Sequence, residues 1–545
     1  MEYTINGNIV DVINKKIFPG EILVKGRKIV KISLTRNTQN VFIIPGLIDA
    51  HIHIESSMLV PSEFSRLAVR HGTIAVISDP HEITNVLGIE GIKFMYLNGK
   101  KVPFKFYFGV PSCVPATNFE TAGGKLSEKE IKELFLNYKF KYLAEVMNFP
   151  GVIAGEKNII AKINIAKKYN RKIDGHAPGL TGENLKKYVS QGITTDHEST
   201  LIEEGREKII LGMNILIREG SAAKNFSELI PLIKEYPSNI MLCTDDLHPN
   251  DLENGHINRL IKKGINMGYD LFDMLRAATL NPTIHYNLDI GLLRENDPAD
   301  FVIINNPDSF SIIATFIEGK KVYENGKSKI KHEMAEDRNV FNCDKIKINQ
   351  IEVPARSDKI KVIEAFDGQL FTKELITSAT IKDGKIISDI KNDILKVVVY
   401  NRYCKSNPAV SFIKGFRLKK GAIASTIAHD SHNIIAVGVK DEDIVNAINR
   451  LIEIKGGILL NDGDKFEEIQ LSVAGLLTYK DGIKVAKEYR KMNNKVRLLG
   501  SSLRAPFMTL SFMALLVIPE LKLSDRGLFD VRKFSFTDFY YQGEE

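Results

Sequence analysis

Asp49-Ala50-His51-Ile52-His53 closes an apolar run that begins at Val41. Side chains two apart in a strand share a face, so His51 and His53 project together from the strand's carboxyl end. Two neutral imidazoles aimed at one point can hold a transition metal. Taken alone, the pair is better explained as a strand end with two surface histidines. Residues of the same kind elsewhere weigh against that. Ser78-Asp79-Pro80-His81-Glu82 follows a second apolar run, and Glu145 lies inside Tyr142-Leu143-Ala144-Glu145-Val146. Asp174-Gly175-His176, Asp196-His197-Glu198 and Cys243-Thr244-Asp245-Asp246 end three more. Singly, each has an ordinary explanation, as a core histidine bonded to backbone or an aspartate capping a helix. Together, four histidines and two acids at strand ends form a ligand set for two divalent cations. Imidazole with carboxylate suits Zn, Mn or Fe(II).

The elements that position these residues repeat. The apolar run before His51 is followed by runs at 73–77, 104–108, 142–146, 171–174, 192–195, 214–217 and 239–242, eight in all. Helical patterns fill the gaps, as at 127–138, 157–169 and 182–191. This alternation predicts an α/β fold with a (β/α)8 barrel of the TIM type over residues 46–285, whose functional groups gather at the carboxyl ends of the strands. Short strand–turn–strand patterns on both flanks, 1–45 and 286–340, predict one small β-sandwich domain. Residues 345–545 mix strands and helices with Gly-rich turns, and predict a C-terminal α+β domain reached through the polar stretch Asn325 to Arg338.

Bulk composition narrows the partners. At 545 residues, 44% of them hydrophobic, the chain is long enough for more than one core. Its net charge of +7 comes from 74 basic and 67 acidic residues that are interspersed, which argues against a nucleic-acid footprint. The four cysteines, Cys113, Cys243, Cys343 and Cys404, are far apart and make no disulfide framework. No stretch reads as a signal peptide or a membrane span, so a cytoplasmic protein with no membrane partner is expected.

The strand-one His-x-His, the single histidines on strands five and six and the aspartate on strand eight resemble the amidohydrolase superfamily. Within it, four stretches resemble the bacterial and archaeal adenine deaminases: Ser78 to Glu82, Ala144 to Asn148, Asp174 to Gly179, and Gly421 to Asn433 with its His429-Asp430-Ser431-His432. Pro506 to Phe512 and Leu523 to Val531 extend the likeness, which spans essentially the whole chain. Glu145 stands where many binuclear amidohydrolases carry a carboxylated lysine. Ala177-Pro178-Gly179 stands where adenosine-deaminase-like enzymes carry a proton-donating acid.

The resemblance implies hydrolysis of adenine to hypoxanthine and ammonia by metal-activated water attacking C6, a purine-salvage reaction. It implies two divalent ions, with Mn(II) or Fe(II) favoured and Zn(II) permitted. His51, His53 and Asp245 are expected to hold one, His176 and His197 the other, and Glu145 to bridge. Which of Asp245 and Asp246 ligates metal is left open, with Asp246 as the expected proton shuttle. Asp79 is expected to take part in catalysis, and His81, His429 and His432 to contact the substrate. A homodimer acting on free adenine is expected. The competing readings are a deaminase of another aminated heterocycle and a cyclic amidohydrolase of the dihydroorotase or hydantoinase kind.

Overall fold

The computed structural model describes residues 2–36, 38–138, 140–541 and 543, so the outermost residues of the first and last expected domains lie outside the described residues. Eight short strands, Leu47–Ile52, Thr73–Ser78, Lys105–Phe108, Tyr142–Val146, Lys172–Gly175, Thr195–Asp196, Asn214–Arg218 and Ile240–Cys243, follow one another around a ring. Neighbours run parallel, as Ala75 beside Lys105 and Leu216 beside Met241 show. The ring closes where the amide of Asp245 donates to the carbonyl of His51 at 2.9 Å and that of His53 to the carbonyl of Asp245 at 3.1 Å. The closing bonds therefore join the residues that the sequence singles out. Helices cover the outside. One of them, Glu128–Asn137, starts with a capping box in which Ser127 and Glu130 satisfy each other's backbone amides.

The two flanks meet in a single eight-stranded sheet. Phe42–Pro45, from the N-terminal side, pairs antiparallel with Phe301–Ile304, from beyond the barrel. Asp300, fully buried, fastens this sheet to the barrel: it accepts from Lys105 Nζ at 2.6 Å and from the amides of Gly291 and Glu318. Past Ser328 the chain crosses the barrel's side, where His332 Nδ1 lies 2.9 Å from Glu63 Oε2.

The C-terminal part is built on a second eight-stranded sheet with Leu395–Tyr400 and Ile434–Gly438 at its centre. Its residues sort by strand alternation. Val398, Tyr400, Ile434 and Ala436 pack beneath the helix Asp441–Glu453. Val397, Val399, Ile435 and Val437 face the other way and join one apolar cluster that continues into the barrel interior. The join is also bonded along the backbone: Thr478 donates to Met58 at 2.8 Å and Val60 to Thr478 at 3.0 Å. Among the described residues, no helix is long and apolar enough to cross a membrane.

Gly175, one residue before His176, marks a tight point in the barrel. A Cβ there would lie 2.3 Å from the carbonyl oxygen of Thr195 on the next strand, and that backbone cannot swing aside as a side chain would. Gly175→Ala should therefore force strands five and six apart at a cost of about 1–3 kcal/mol. Thermal unfolding of the metal-loaded variant tests this, and an unchanged midpoint would show that the strands part freely.

Candidate metal centre

Barrel closure converts residues scattered from His51 to Asp245 into one buried cluster. His51 and His53, two positions apart at the end of strand one, lie against Asp245: its Oδ1 is 3.4 Å from His51 Nε2 and 3.3 Å from His53 Nε2. The alternation rule would send Asp245 and Asp246 to opposite faces. It fails here because Asp245 has φ 57°, the left-handed region that aspartate tolerates, so the strand has already turned. Asp246 thereby also reaches the site, where its Oδ1 accepts from Ser56 Oγ at 2.5 Å.

Glu145 sits at the centre. Its Oε2 is 2.9 Å from His176 Nδ1 and 3.1 Å from His197 Nε2, and its Oε1 is 3.4 Å from His53 Nε2. One carboxylate thus faces both histidine pairs. His53 has its orientation set from behind, since its Nδ1 is 3.1 Å from the backbone oxygen of Asp79. A proton on Nδ1 donated to that oxygen leaves Nε2 with its lone pair turned to the acids. His51 Nε2 is buried with no hydrogen-bond partner. Donor atoms of His51, His53 and Asp245 lie within 4.8 Å of one another, and so do those of His51, Glu145 and His197. An orphaned imidazole nitrogen among convergent nitrogen and oxygen donors fits a pair of divalent cations.

The electrostatics agree with that fit. Burial opposes the charge on Glu145, but His176 and His197 outweigh it and hold the carboxyl well below its ordinary range. Burial alone would depress His176, and Glu198 and Glu145 reverse this, lifting it to about 9.

Asp79 and His81 stand beside this cluster rather than in a separate turn. Asp79 Oδ2 is 3.2 Å from His81 Nδ1, which is also 3.3 Å from Glu145 Oε1. His429 and His432 arrive from the C-terminal sheet and meet Glu82: His429 Nδ1 is 2.6 Å from its Oε1, and His432 Nε2 bonds its Oε2. The structure thus brings every expected site residue to one region.

Three partners were missed from sequence. Arg218, at the end of strand seven, forks between Glu198 and Asp245, with Nη2 at 2.8 Å from Glu198 Oε2 and Nη1 at 2.5 Å from Asp245 Oδ2. Burial disfavours the charge on Asp245, and Arg218 more than restores it. Glu82 and Glu198 each follow a histidine that was read. Applying the strand-end rule to strand seven would have found Arg218.

A cavity of about 40 Å3 lies over the cluster and is roofed by Leu370, Phe512, Leu515, Val517 and Ile518 of the C-terminal part. A larger cavity of about 1300 Å3 adjoins it and shares Arg218, Leu370 and Phe512 in its walls. Lys522 anchors this roof. Its side chain is fully buried and its Nζ donates to the carbonyls of Leu370 at 2.7 Å and Phe512 at 2.9 Å.

Residues 42–322 match the family model of the amidohydrolase family, and residues 369–535 match that of the adenine deaminase C-terminal domain. An adenine deaminase of Methanosarcina barkeri is 52% identical over 98% of this chain and 99% of its own. One from Salinibacter ruber is 47% identical over 98% of both chains. Another, from Borreliella burgdorferi, is 47% identical over 98% of this chain and 100% of its own.

Burial pulls Lys522 down to about 7, whereas a lysine in the unfolded chain titrates near about 10.4. Between those values the unfolded chain binds a proton that the folded one does not, so stability rises with pH there. Urea midpoints at about pH 7 and about pH 9.5 should rise more in the native protein than in Lys522→Met. Equal slopes would show that Lys522 stays charged when folded.

Proposed function

The chain belongs to the adenine deaminase family of amidohydrolases, and on that premise we propose that it hydrolyses adenine to hypoxanthine and ammonia. The observation that carries the reading is Glu145, a buried carboxylate facing two histidine pairs in a chain about half identical to adenine deaminases along its whole length. The same reading divides the chain into a small β unit (1–45 with 286–340), the barrel (46–285) and a C-terminal unit (345–545). The four cysteines are unpaired, which fits a reducing, cytoplasmic setting.

His51, His53 and Asp245 would hold one cation and His176 and His197 the other, with Glu145 between them. Mn(II) or Fe(II) is the proposed pair, and Zn(II) is compatible with the same donors. When bound, such cations lower the pKa of water toward neutrality and so supply a nucleophile at ordinary pH.

The chain's own residues manage the protons and the fit. Adding water at C6 forms a C–O bond and breaks the C–N bond to the amino group. Of the water's two protons, one ends on N1 of the ring and the other on the departing ammonia. Asp246 is placed to take and return a proton. Burial and the neighbouring Asp245 raise its pKa, so it holds a proton more readily than a free aspartate, and Ser56 fixes its carboxylate. Arg218 keeps Asp245 ionised and turned toward His51 and His53, which leaves Asp246 free for proton work. Asp79 orients His81 beside Glu145. The apolar roof from Leu370 to Ile518 offers a flat ring a dry surface, and the larger cavity gives it a way in.

Ammonia release from adenine by the metal-stripped protein, before and after reloading with Mn(II), tests the reading. Turnover should appear only on reloading, and guanine, a pterin and dihydroorotate should be poor substrates. Turnover of one of those comparators without turnover of adenine would transfer the assignment to it. Asp246→Asn should keep both metals and lower kcat by roughly 10²–10⁴-fold, the usual share of a general acid–base group. A full-rate Asp246→Asn enzyme would remove Asp246 from the proton path.

A further inference from the structure

Glu82 has two imidazoles on its two carboxylate oxygens, His429 on Oε1 and His432 on Oε2. All three residues are at least nine-tenths buried, with exposures of 2%, 5% and 1%. Their donor atoms lie close enough to suit a third cation. The tautomer of His432 decides against one. Its Nδ1 accepts the backbone N–H of Ala428 at 3.3 Å, so Nδ1 holds a lone pair and the ring proton sits on Nε2, aimed at Glu82. A metal on Nε2 would need the opposite tautomer. Glu82 is therefore a hydrogen-bonded carboxylate, steadied by His432 and turned toward His429.

His429 is held on three sides. Its Nδ1 gives its hydrogen to Glu82, its ring stacks on Phe512 at 4.5 Å between centroids and 12° between planes, and its backbone N–H donates to Ser511. Its Nε2 makes no hydrogen bond among the described residues, and the ring lines the same small cavity as Asp246 and Glu145. An imidazole with one nitrogen on a buried carboxylate and the other at a substrate cavity has the arrangement of a general acid–base pair.

We propose that His429 is a second proton-transferring residue of the deamination, oriented by Glu82 and His432 as positioning residues, so that the C-terminal unit completes the active site. This rests on the adenine reading above. As the C6–N bond breaks, Nε2–H of the imidazolium donates its proton to the departing amino group, which leaves as ammonia. The proton of the new C6 hydroxyl then restores His429, while Asp246 carries the other water proton to N1, and the balance closes. Burial disfavours a charged His429, but Glu82, helped by the charges of Asp246 and Asp430, overrides this and raises it to about 9, while burial holds the neighbouring His432 down to about 4.

The test is kinetic, on the full-length Mn-loaded protein. His429→Ala should lower kcat for adenine by roughly 10²–10⁴-fold, leave KM within a few-fold and retain two metals per chain. Added imidazole, which the large cavity admits, should restore part of kcat. His429→Gln keeps a donor for Glu82 but no transferable proton, so it should be equally slow and without rescue. Glu82→Gln should slow the native enzyme but not the His429→Ala variant further. If His429→Ala fails to fold, as near-ultraviolet circular dichroism would show, the His429→Gln and Glu82→Gln rates decide. An active native enzyme whose His429 variants keep their rate, or lose it without rescue of the alanine variant, overturns this role alone. A native enzyme inert toward adenine overturns the function and this role with it. A third metal equivalent lost in His432→Gln would overturn the tautomer argument.

Discussion

Every part of the site answers to the cost of burying carboxylates. Glu145, Glu82, Asp245 and Glu198 all lie in the interior, where an unpaired charge is expensive. Each is matched by a specific partner: Glu145 by His176 and His197, Glu82 by His429 and His432, and Asp245 and Glu198 by Arg218. The matching explains why these groups are held so firmly. A side chain that pays for its own burial through two or three fixed contacts has little freedom left, and a cation entering the cluster meets donors already in place. His51 Nε2, by contrast, makes no hydrogen bond among the described residues and has only Asp245 at 3.4 Å, which is where the protein's own pairing is loosest.

Much of this was legible in the sequence because the signal was local. The eight barrel strands are apolar runs of ordinary strand length, and the histidines and acids stand at their ends, where a barrel must expose them. What escaped was long-range. Nothing near Glu82 announces that residues almost 350 positions later will reach it. Arg218 is the local exception, a cation that directly follows the apolar run of strand seven. The two aspartates of strand eight could not be told apart, because the choice depends on one backbone turn at Asp245 that no residue pattern encodes.

The C-terminal sheet shows the same division. Its strands are visible as apolar segments, yet every residue of Leu395–Tyr400 is buried, the charged Lys396 included, so burial does not reveal which face meets the helix and which the barrel. Only packing separates Val398 and Tyr400, under the helix, from Val397 and Val399, in the cluster shared with the barrel. That shared cluster gives the two halves one interior, and the roof from Leu370 to Ile518 packs against it over the cavity.

The sheet that unites the two flanks also orders events in time. Phe42–Pro45 leaves the ribosome early, but one of its neighbours, Phe301–Ile304, is made only after the entire barrel. At about 5–20 residues per second that edge waits on the order of tens of seconds for its partner. During synthesis the nascent chain therefore carries an open, apolar strand edge, and the barrel must form while tethered to a half-built sheet. The completion of that sheet is a late checkpoint, reached only by chains whose barrel has brought its two ends together.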